Sequence, residues 1–311
     1  IPILKKGDRT LTSNYRPVSC LPAASKVLES VVLAQVSSYF EKHDLLPSQQ
    51  HGFRAGRSTT TAVASMVADW AAAHEDGMST GVLLWDLSAA FDTIDVELLC
   101  EKLGLYGLST RSVQWFRSYL TGRRQQIQIG RGISEAATIS VGCPQGSLLS
   151  PLLFIVYIAD LDLWVNDVVA RGYADDTISS VSDVNVETII NKLEADGERI
   201  LRFMASNHLA ANPQKTGFLL IRNKRLIQKY EVKIGGQKIQ EHESHRVLGI
   251  TVNNSLTWTD HVSGKGSILA SAHQRIGALR CISHHVPTAA LSGIASAIIA
   301  SKIRYGIAIY G

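Results

Sequence analysis

The chain is poor in the residues that would mark a disulfide-bound or thiolate-metal protein. Its four cysteines, Cys20, Cys100, Cys143 and Cys281, are far apart and never fall in a C-x-x-C spacing. They read as reduced intracellular thiols rather than a disulfide framework or zinc site. His242 and His245 stand three positions apart, but no cysteine lies near them to complete a ligand set. Long apolar runs are missing too. A membrane span needs roughly 20 residues, and the longest run, 148–159, is shorter and contains Pro151. No signal peptide is present, and the chain opens at Ile1 without Met, so a piece of something longer is expected. The G-x-x-x-x-G-K-[ST] phosphate loop of nucleotide-hydrolysing enzymes is absent. So are internal repeats and low-complexity segments.

What is present is enough apolar material for a large core: 45% hydrophobic and 19% charged residues over 311 positions. Such a chain can divide into two or three subdomains. The net charge of +4 is unevenly placed. From Ser255 onward Lys265, Arg275, Arg280, Lys302 and Arg304 face Asp260 alone, and the first forty residues carry Lys5, Lys6, Arg9, Arg16 and Lys26 against Asp8 and Glu29. Basic ends around an acidic middle suit a polyanion held about an acidic centre.

Hydrophobic periodicity gives the organisation. Extended segments to Pro22 precede a helical pattern from Ser25 to about Lys42. The loop His51-Gly52-Phe53-Arg54-Ala55-Gly56-Arg57-Ser58 follows, with Ser58 as the cap of a helix to about His74. Gly81 to Leu87 is a nearly continuous apolar run, the pattern of a strand buried on both faces. Asp92 or Thr93 is expected to cap a helix through Leu103, and Ser109 another ending before Gly122. Residues 125–129 and 137–141 alternate like an exposed hairpin. Ser150-Pro151 opens an apolar helix to about Leu161. Helix again runs to about 207, then come a strand from Gly217 to Arg222, a hairpin about Gly235-Gly236 and a single strand from His245 to Val252. Two helical patterns parted near Pro287 close the chain. The class is α+β.

Two acidic positions interrupt the β-type centre. Tyr173-Ala174-Asp175-Asp176 precedes the β-favouring run 177–181. Adjacent side chains on a strand point to opposite faces, so both carboxylates serve one site only at a bend, and a tight hairpin turn tolerates Asp. Asp86 ends a buried strand, where a carboxylate needs a partner or a metal. A turn beside that strand end would gather three carboxylates. Hard cations such as Mg²⁺ take oxygen ligands of this kind together with substrate phosphates. Two ions roughly 3.5–4 Å apart can serve the attacking and leaving oxygens of phosphoryl transfer, leaving positioning and charge neutralisation to the protein.

The spacing is specific. Asp86-Leu87-Ser88-Ala89-Ala90-Phe91-Asp92 resembles the first catalytic motif of reverse transcriptases, D-x-x-x-A-F-D. Residues 142–154, from Gly142-Cys143-Pro144-Gln145-Gly146 to Phe154, resemble their nucleotide-pocket motif, and Tyr173–Asp176 the second catalytic motif. In the right order around them, Asn14–Ser19 and the 51–58 loop resemble fingers motifs. Asn212-Pro213-Gln214-Lys215-Thr216 resembles a later palm motif. Arg246-Val247-Leu248-Gly249-Ile250 with Leu256-Thr257-Trp258 resembles the primer grip, and Ile303–Gly306 the passage into the thumb. The match covers nearly all of the chain and points to the non-LTR (LINE-type) retrotransposon branch. Trp85 before the first Asp and Cys143 depart slightly from the usual pattern.

That resemblance implies a right-hand polymerase fold: fingers at 1–80 with 93–140 returning, an antiparallel palm sheet with helices on one face at 81–92 and 141–254, and a helical thumb at 255–311. It implies two Mg²⁺ ions, replaceable by Mn²⁺, held by Asp86 and Asp175 with Asp176 and the Leu87 carbonyl in support. Phe91 would be the gate that excludes a 2′-hydroxyl, with core packing as its plainer role. Gln145 and Gly146 would line the dNTP, and Lys5 (or Lys6, after a one-residue shift) and Arg16 would clamp its triphosphate. Arg54, Arg57, Leu248 and Gly249 would meet template or primer, and Lys215 would donate a proton to pyrophosphate. The implied function is RNA-directed DNA polymerisation in target-primed retrotransposition. Its partners would be an RNA template, a DNA primer and dNTPs, and its setting the nucleus with a cytoplasmic ribonucleoprotein stage. No endonuclease is recognisable. The alternatives are a degenerate relative that holds RNA without copying it, and an RNA-templated RNA polymerase.

Overall fold

The computed structural model describes residues 1–311 except 6, 89, 213–214, 223–227 and 265, and except the side chains of Ser13 and Ser88. Lys6, Ala89, Pro213, Gln214 and Lys265 of the sequence reading therefore lie outside the described residues. In chain order the main helices are α1 (Ala23–Lys42), α2 (Thr59–Glu75), α3 (Val96–Leu105), α4 (Thr110–Leu120), α5 (Ser150–Tyr157), α6 (Val186–Ser206) and α7 (Ile268–Ile282). The main strands are β1 (Ser79–Trp85), β2 (Val169–Tyr173), β3 (Asp176–Asp183), β4 (Gly217–Ile221), β5 (Glu231–Ile234), β6 (Gln237–His242), β7 (Ser244–Val247) and β8 (Ile250–Asn253).

The chain forms two compact units. The first takes Ile1–Phe53, Leu87–Val165 and Arg199–Asn212. Its core is helical, with Phe40, Leu99, Leu103, Phe116, Phe154 and Phe203 buried. Two buried charges fix its parts. Glu29 of α1 accepts from the Tyr119 hydroxyl (2.8 Å), the Leu148 N–H (2.9 Å) and the Ser25 hydroxyl (3.0 Å). Burial alone would raise its pKa, but donors from Leu148, Tyr119, Ser25 and Ser147 hold the carboxyl below its ordinary value. Lys102 of α3 donates to the Tyr157 carbonyl (2.7 Å) and to Asp160 (2.6 Å). A projecting hairpin leaves this unit in two short ladders, Arg123–Gln125 with Ala137–Ile139 and Gln128–Ile129 with Gly132–Ile133.

The second unit takes Arg54–Asp86, Asn166–Glu198 and Pro213–Gly311. It holds a six-stranded sheet in the order β5-β6-β4-β1-β3-β2. β1, central and buried along nearly its whole length, pairs antiparallel with β3 and β4. β4 and β6 pair in parallel, so the expected antiparallel sheet carries one parallel junction. Nor are the helices confined to one face, as the sequence reading had it. Val82, Leu84, Ile178 and Leu219 pack on Ala62, Val63, Met66 and Trp70 of α2. Gly81 faces the opposite way, where an added Cβ would meet Ile189 of α6 at 2.4 Å. A strand with no polar face is buried from both sides.

Three local expectations change. The cap of α3 is Asp95, which accepts from the Leu98 N–H at 3.0 Å, not Asp92 or Thr93. α5 stops at Tyr157 and gives way to a 3₁₀ turn over Ala159–Leu163. The 245–252 run is a hairpin rather than one strand, with β7 and β8 in register from Ser244↔Asn253 to Val247↔Ile250. Ser58 caps α2 as expected, in a capping box with Thr61. All four cysteines are free, and among the described residues no helix is long and apolar enough to cross a membrane.

Candidate active site

The carboxylates lie where two strand ends meet. β2 and β3 form a hairpin whose last pair is Tyr173↔Asp176, leaving Ala174 and Asp175 as the two-residue turn. Ala174 adopts φ of +57°, a left-handed conformation that costs an L-residue roughly 1–2 kcal/mol and is sustained by the packing around it. β3 also pairs with β1, through Thr177↔Trp85. One step further along that antiparallel register puts Asp86 across from Asp176. The Trp85 indole N–H donates to the buried Ser179 hydroxyl at 3.0 Å, which satisfies the unusual residue before Asp86.

Asp86 and Asp176 line one cavity of about 290 Å³ with Lys215, Arg246, Leu248 and Gly249. Lys215 Nζ stands 3.2 Å from Asp86, and both side chains remain substantially exposed. Water reaches Asp176, yet protein crowds it on several sides. Desolvation, followed by the charges of Asp175 and Asp86, pushes its carboxyl up to about 6. The opposite wall is the β7–β8 turn, where Leu248 (φ +46°) and Gly249 (φ +89°) are both left-handed. Two such residues between paired strands make a type I′ turn. The Tyr305 hydroxyl donates to the Leu248 carbonyl at 2.6 Å and lies 3.0 Å from the Thr59 hydroxyl.

Do these carboxylates suit a metal? Among the described residues no group of three or more His, Cys, Asp or Glu side chains is arranged to hold a metal ion, so any ion here would rest on fewer protein ligands. Desolvation and then the charges of Asp175 and Asp86 raise Asp176, and Lys215 is the nearby cation, beside Asp86. An open, oxygen-only set fits Mg²⁺, which keeps waters and substrate phosphates in its shell. The His242 and His245 rings lie 5.7 Å apart in a tilted arrangement, and His245 lines the same cavity as Asp86 and Asp176.

The residues matched to a nucleotide pocket belong to the other unit and form a chain of their own. Arg16 Nε donates to Gln145 Oε1 at 3.3 Å, and Gln145 Nε2 donates to both Asp92 oxygens at 2.8 Å. The Ser19 N–H donates to the Gln145 carbonyl (2.9 Å) and the Cys143 N–H to the Phe91 carbonyl (2.8 Å), so both motifs are laced by backbone. Phe91 is half-buried, its ring 4.9 Å from that of Phe154, and Gly146 is exposed. Asp92 went unread except as a cap; its place as the closing residue of D-x-x-x-A-F-D was the available signal. Lys5 is exposed, and its backbone N–H donates to the Asn14 carbonyl at 2.8 Å. Arg54 and Arg57 are half-buried in the turn ahead of α2, and Leu87 pairs with Ala211 in a two-residue ladder.

This architecture has solved counterparts. Apo telomerase from Candida Tropicalis, truncated from its C-terminal domain, superposes with a TM-score of 0.52 at 13% identity, over 75% of this chain and 44% of that one. At that identity the likeness carries the fold alone, the right-hand polymerase class. The sequence goes further: the family profile of reverse transcriptase (RNA-dependent DNA polymerase) matches residues 3–252, and the chain belongs to that family.

Its relatives include the RNA-directed DNA polymerase from mobile element jockey of Drosophila melanogaster, 24% identical over 100% of this chain and 35% of that protein. Two more from the same fly are the probable RNA-directed DNA polymerases from transposon X-element (26% identical; 81% of this chain, 28% of that protein) and transposon BS (26%; 96% and 34%). These are non-LTR elements, the branch to which the motifs pointed. The chain spans about a third of the length of these relatives.

Proposed function

We propose that the chain is an RNA-directed DNA polymerase that extends a primer 3′-hydroxyl with dNTPs, acting within a retrotransposon protein by target-primed reverse transcription. The observation that carries this reading is the pairing of β1 with β3, which brings Asp86 and the Asp175-Asp176 turn to one sheet end beside an open cleft. Asp86 and Asp175 would hold two Mg²⁺ ions, with Asp176 and the Leu87 carbonyl in support. When bound, the ions lower the pKa of the attacking hydroxyl and offset charge on the leaving pyrophosphate.

The protein's own groups do the rest. Lys215, beside Asp86, is a cation able to give a proton to the departing pyrophosphate. Arg16 and Lys5 would meet the triphosphate. Gln145, its amide held by Asp92, would present a fixed edge to the sugar and base. Phe91 would close the space that a 2′-hydroxyl needs. The Leu248–Gly249 turn, clamped by Tyr305, would set the primer end. Arg54 and Arg57 would meet template backbone, since a guanidinium suits bidentate phosphate contact.

The test is primer extension on an RNA template with Mg²⁺ and dNTPs. The product sequence should follow the template, and a chelator should abolish it. Incorporation independent of template, or equal use of rNTPs and dNTPs by the unaltered protein, is incompatible with the reading.

A further inference from the structure

The turn that carries Gln145 and Gly146 belongs to no helix or strand, so its shape depends on what grips it. It closes on the bond from the Ser147 N–H to the Pro144 carbonyl (3.1 Å), and Gly146 supplies the left-handed third position at φ +100°. Gln145 is held at its side chain by Asp92 and at its carbonyl by the Ser19 N–H. The far foot of the turn, Ser147-Leu148, is held by a group that the catalytic motifs do not include. That group is the Glu29 carboxylate of α1, which is fully buried.

Glu29 reaches both residues of the foot. Its Oε2 accepts from the Leu148 N–H at 2.9 Å, and its Oε1 from the Tyr119 hydroxyl at 2.8 Å. Tyr119 of α4 lies 2.8 Å from the Ser147 hydroxyl, which also accepts from the Leu149 N–H at 3.0 Å. The carboxylate thus stands where the turn runs into α5, at the helix end whose dipole favours negative charge. Among the described residues no cation pairs with it. A buried charge without an ion partner is costly unless hydrogen bonds offset the cost. Here every donor but Ser25 comes from the foot of the turn or from α4. An apolar side chain would fill the same space without that cost. What it could not do is fix the Leu148 N–H.

We propose that Glu29 is a positioning residue for the incoming nucleotide, holding the 144–147 turn, with Tyr119 as its bridge, in the shape that lets Gln145 and Gly146 meet a dNTP. This rests on the polymerase reading and adds to it a buried anchor outside the motifs that carry that reading.

The chemistry of the anchor sets the order of its variants. In Glu29→Gln the amide oxygen can accept from the Leu148 N–H while the amide N–H groups donate to the Tyr119 and Ser25 hydroxyls, which turn round to accept. In Glu29→Met no acceptor remains and the Leu148 N–H loses its partner. Tyr119→Phe keeps the carboxylate and cuts its link to Ser147.

Single-nucleotide incorporation is measured on a saturating RNA-template/DNA-primer duplex with Mg²⁺ while the dNTP concentration is varied. Glu29→Met should raise the dNTP KM roughly 10- to 100-fold, the scale of a misplacement passed to a substrate-positioning group, with kcat per active site nearly unchanged. Tyr119→Phe should raise KM several-fold, and Glu29→Gln should stay near wild type. Active sites are counted by the burst of the first turnover, so protein lost to misfolding lowers the count and leaves KM alone. Hydrogen exchange in a peptide covering 144–149 should quicken in Glu29→Met and not in Glu29→Gln.

A dNTP KM unmoved in Tyr119→Phe and Glu29→Met, or a loss confined to the count of active sites, overturns the proposal. Should Glu29→Met not fold, Tyr119→Phe decides alone by the same criterion. Exchange over 144–149 that is unchanged in a folded Glu29→Met overturns it as well. Wild type that does not extend at all removes the polymerase reading and the nucleotide role with it, while the exchange result still reports whether Glu29 holds the turn.

Discussion

Asp176 carries the electrostatic consequence of placing three acids at one sheet end. Its carboxyl sits at about 6, against 3.8 for an ordinary aspartate, through desolvation and then the charges of Asp175 and Asp86. In the unfolded chain the group ionises at its ordinary value, so between the two values the folded state holds more protons. Stability of the metal-free protein should therefore fall as pH rises through about 6. Thermal melts in chelator between pH 4.5 and 7.5 should show that fall in wild type and a smaller one in Asp176→Asn. Identical profiles would remove the repulsion account. Added Mg²⁺ should raise the melting temperature more at pH 7.5 than at pH 5, because protons compete for the same oxygens.

Phe91 belongs to the same scale. If its half-buried ring bounds the sugar, Phe91→Ala should relax discrimination against rNTPs roughly 10- to 100-fold. Were the ring only core against Phe154, the variant would lose stability with its sugar preference intact.

Among elements, the packing of α6 on the sheet depends on a missing side chain. Gly81 leaves room for Ile189 and Leu193, whose atoms would stand 2.4 and 2.6 Å from an added Cβ. Gly81→Ala should cost about 1–3 kcal/mol by overpacking, read as a lower urea midpoint with an unchanged m-value. An unaltered midpoint would show that the helix yields freely. Elements set by local chemistry were readable in advance: the Ser58 cap, the 173–176 turn and the buried β1 run all have their causes within a few residues. The β7–β8 hairpin was not. Its type I′ turn begins with Leu248 where Asn or Asp would be the usual signal, and the Tyr305 hydroxyl that holds it is 57 positions away. The cap of α3 was misplaced by two or three residues because Asp92, Thr93 and Asp95 all suit a cap, and Asp92 is taken by Gln145. Likewise the motif order singled out Asp86, Asp175 and Asp176 as candidates, while the Arg16–Gln145–Asp92 chain needed contacts spanning 129 and 53 positions.

At the scale of the whole molecule, cations concentrate near both ends while the net charge stays at +4. Affinity that comes from phosphate contacts falls steeply with salt, because each neutralised phosphate releases counterions. Template-primer affinity should therefore drop by an order of magnitude or more between 50 and 200 mM salt if at least about two such contacts form. A flat dependence would remove the basic ends from the account of nucleic-acid binding.

The central claim concerns Asp175 and its neighbours, and one comparison addresses it: wild type and Asp175→Ala extending a DNA primer on an RNA template with Mg²⁺ and dNTPs. Loss of a metal ligand should lower extension at least about 100-fold, since even groups that only orient ligands cost 10- to 100-fold. Template-primer binding measured in chelator should be unchanged. If wild type and Asp175→Ala extend equally, or equally poorly, the carboxylates at the end of β1 and β3 are not the catalytic centre.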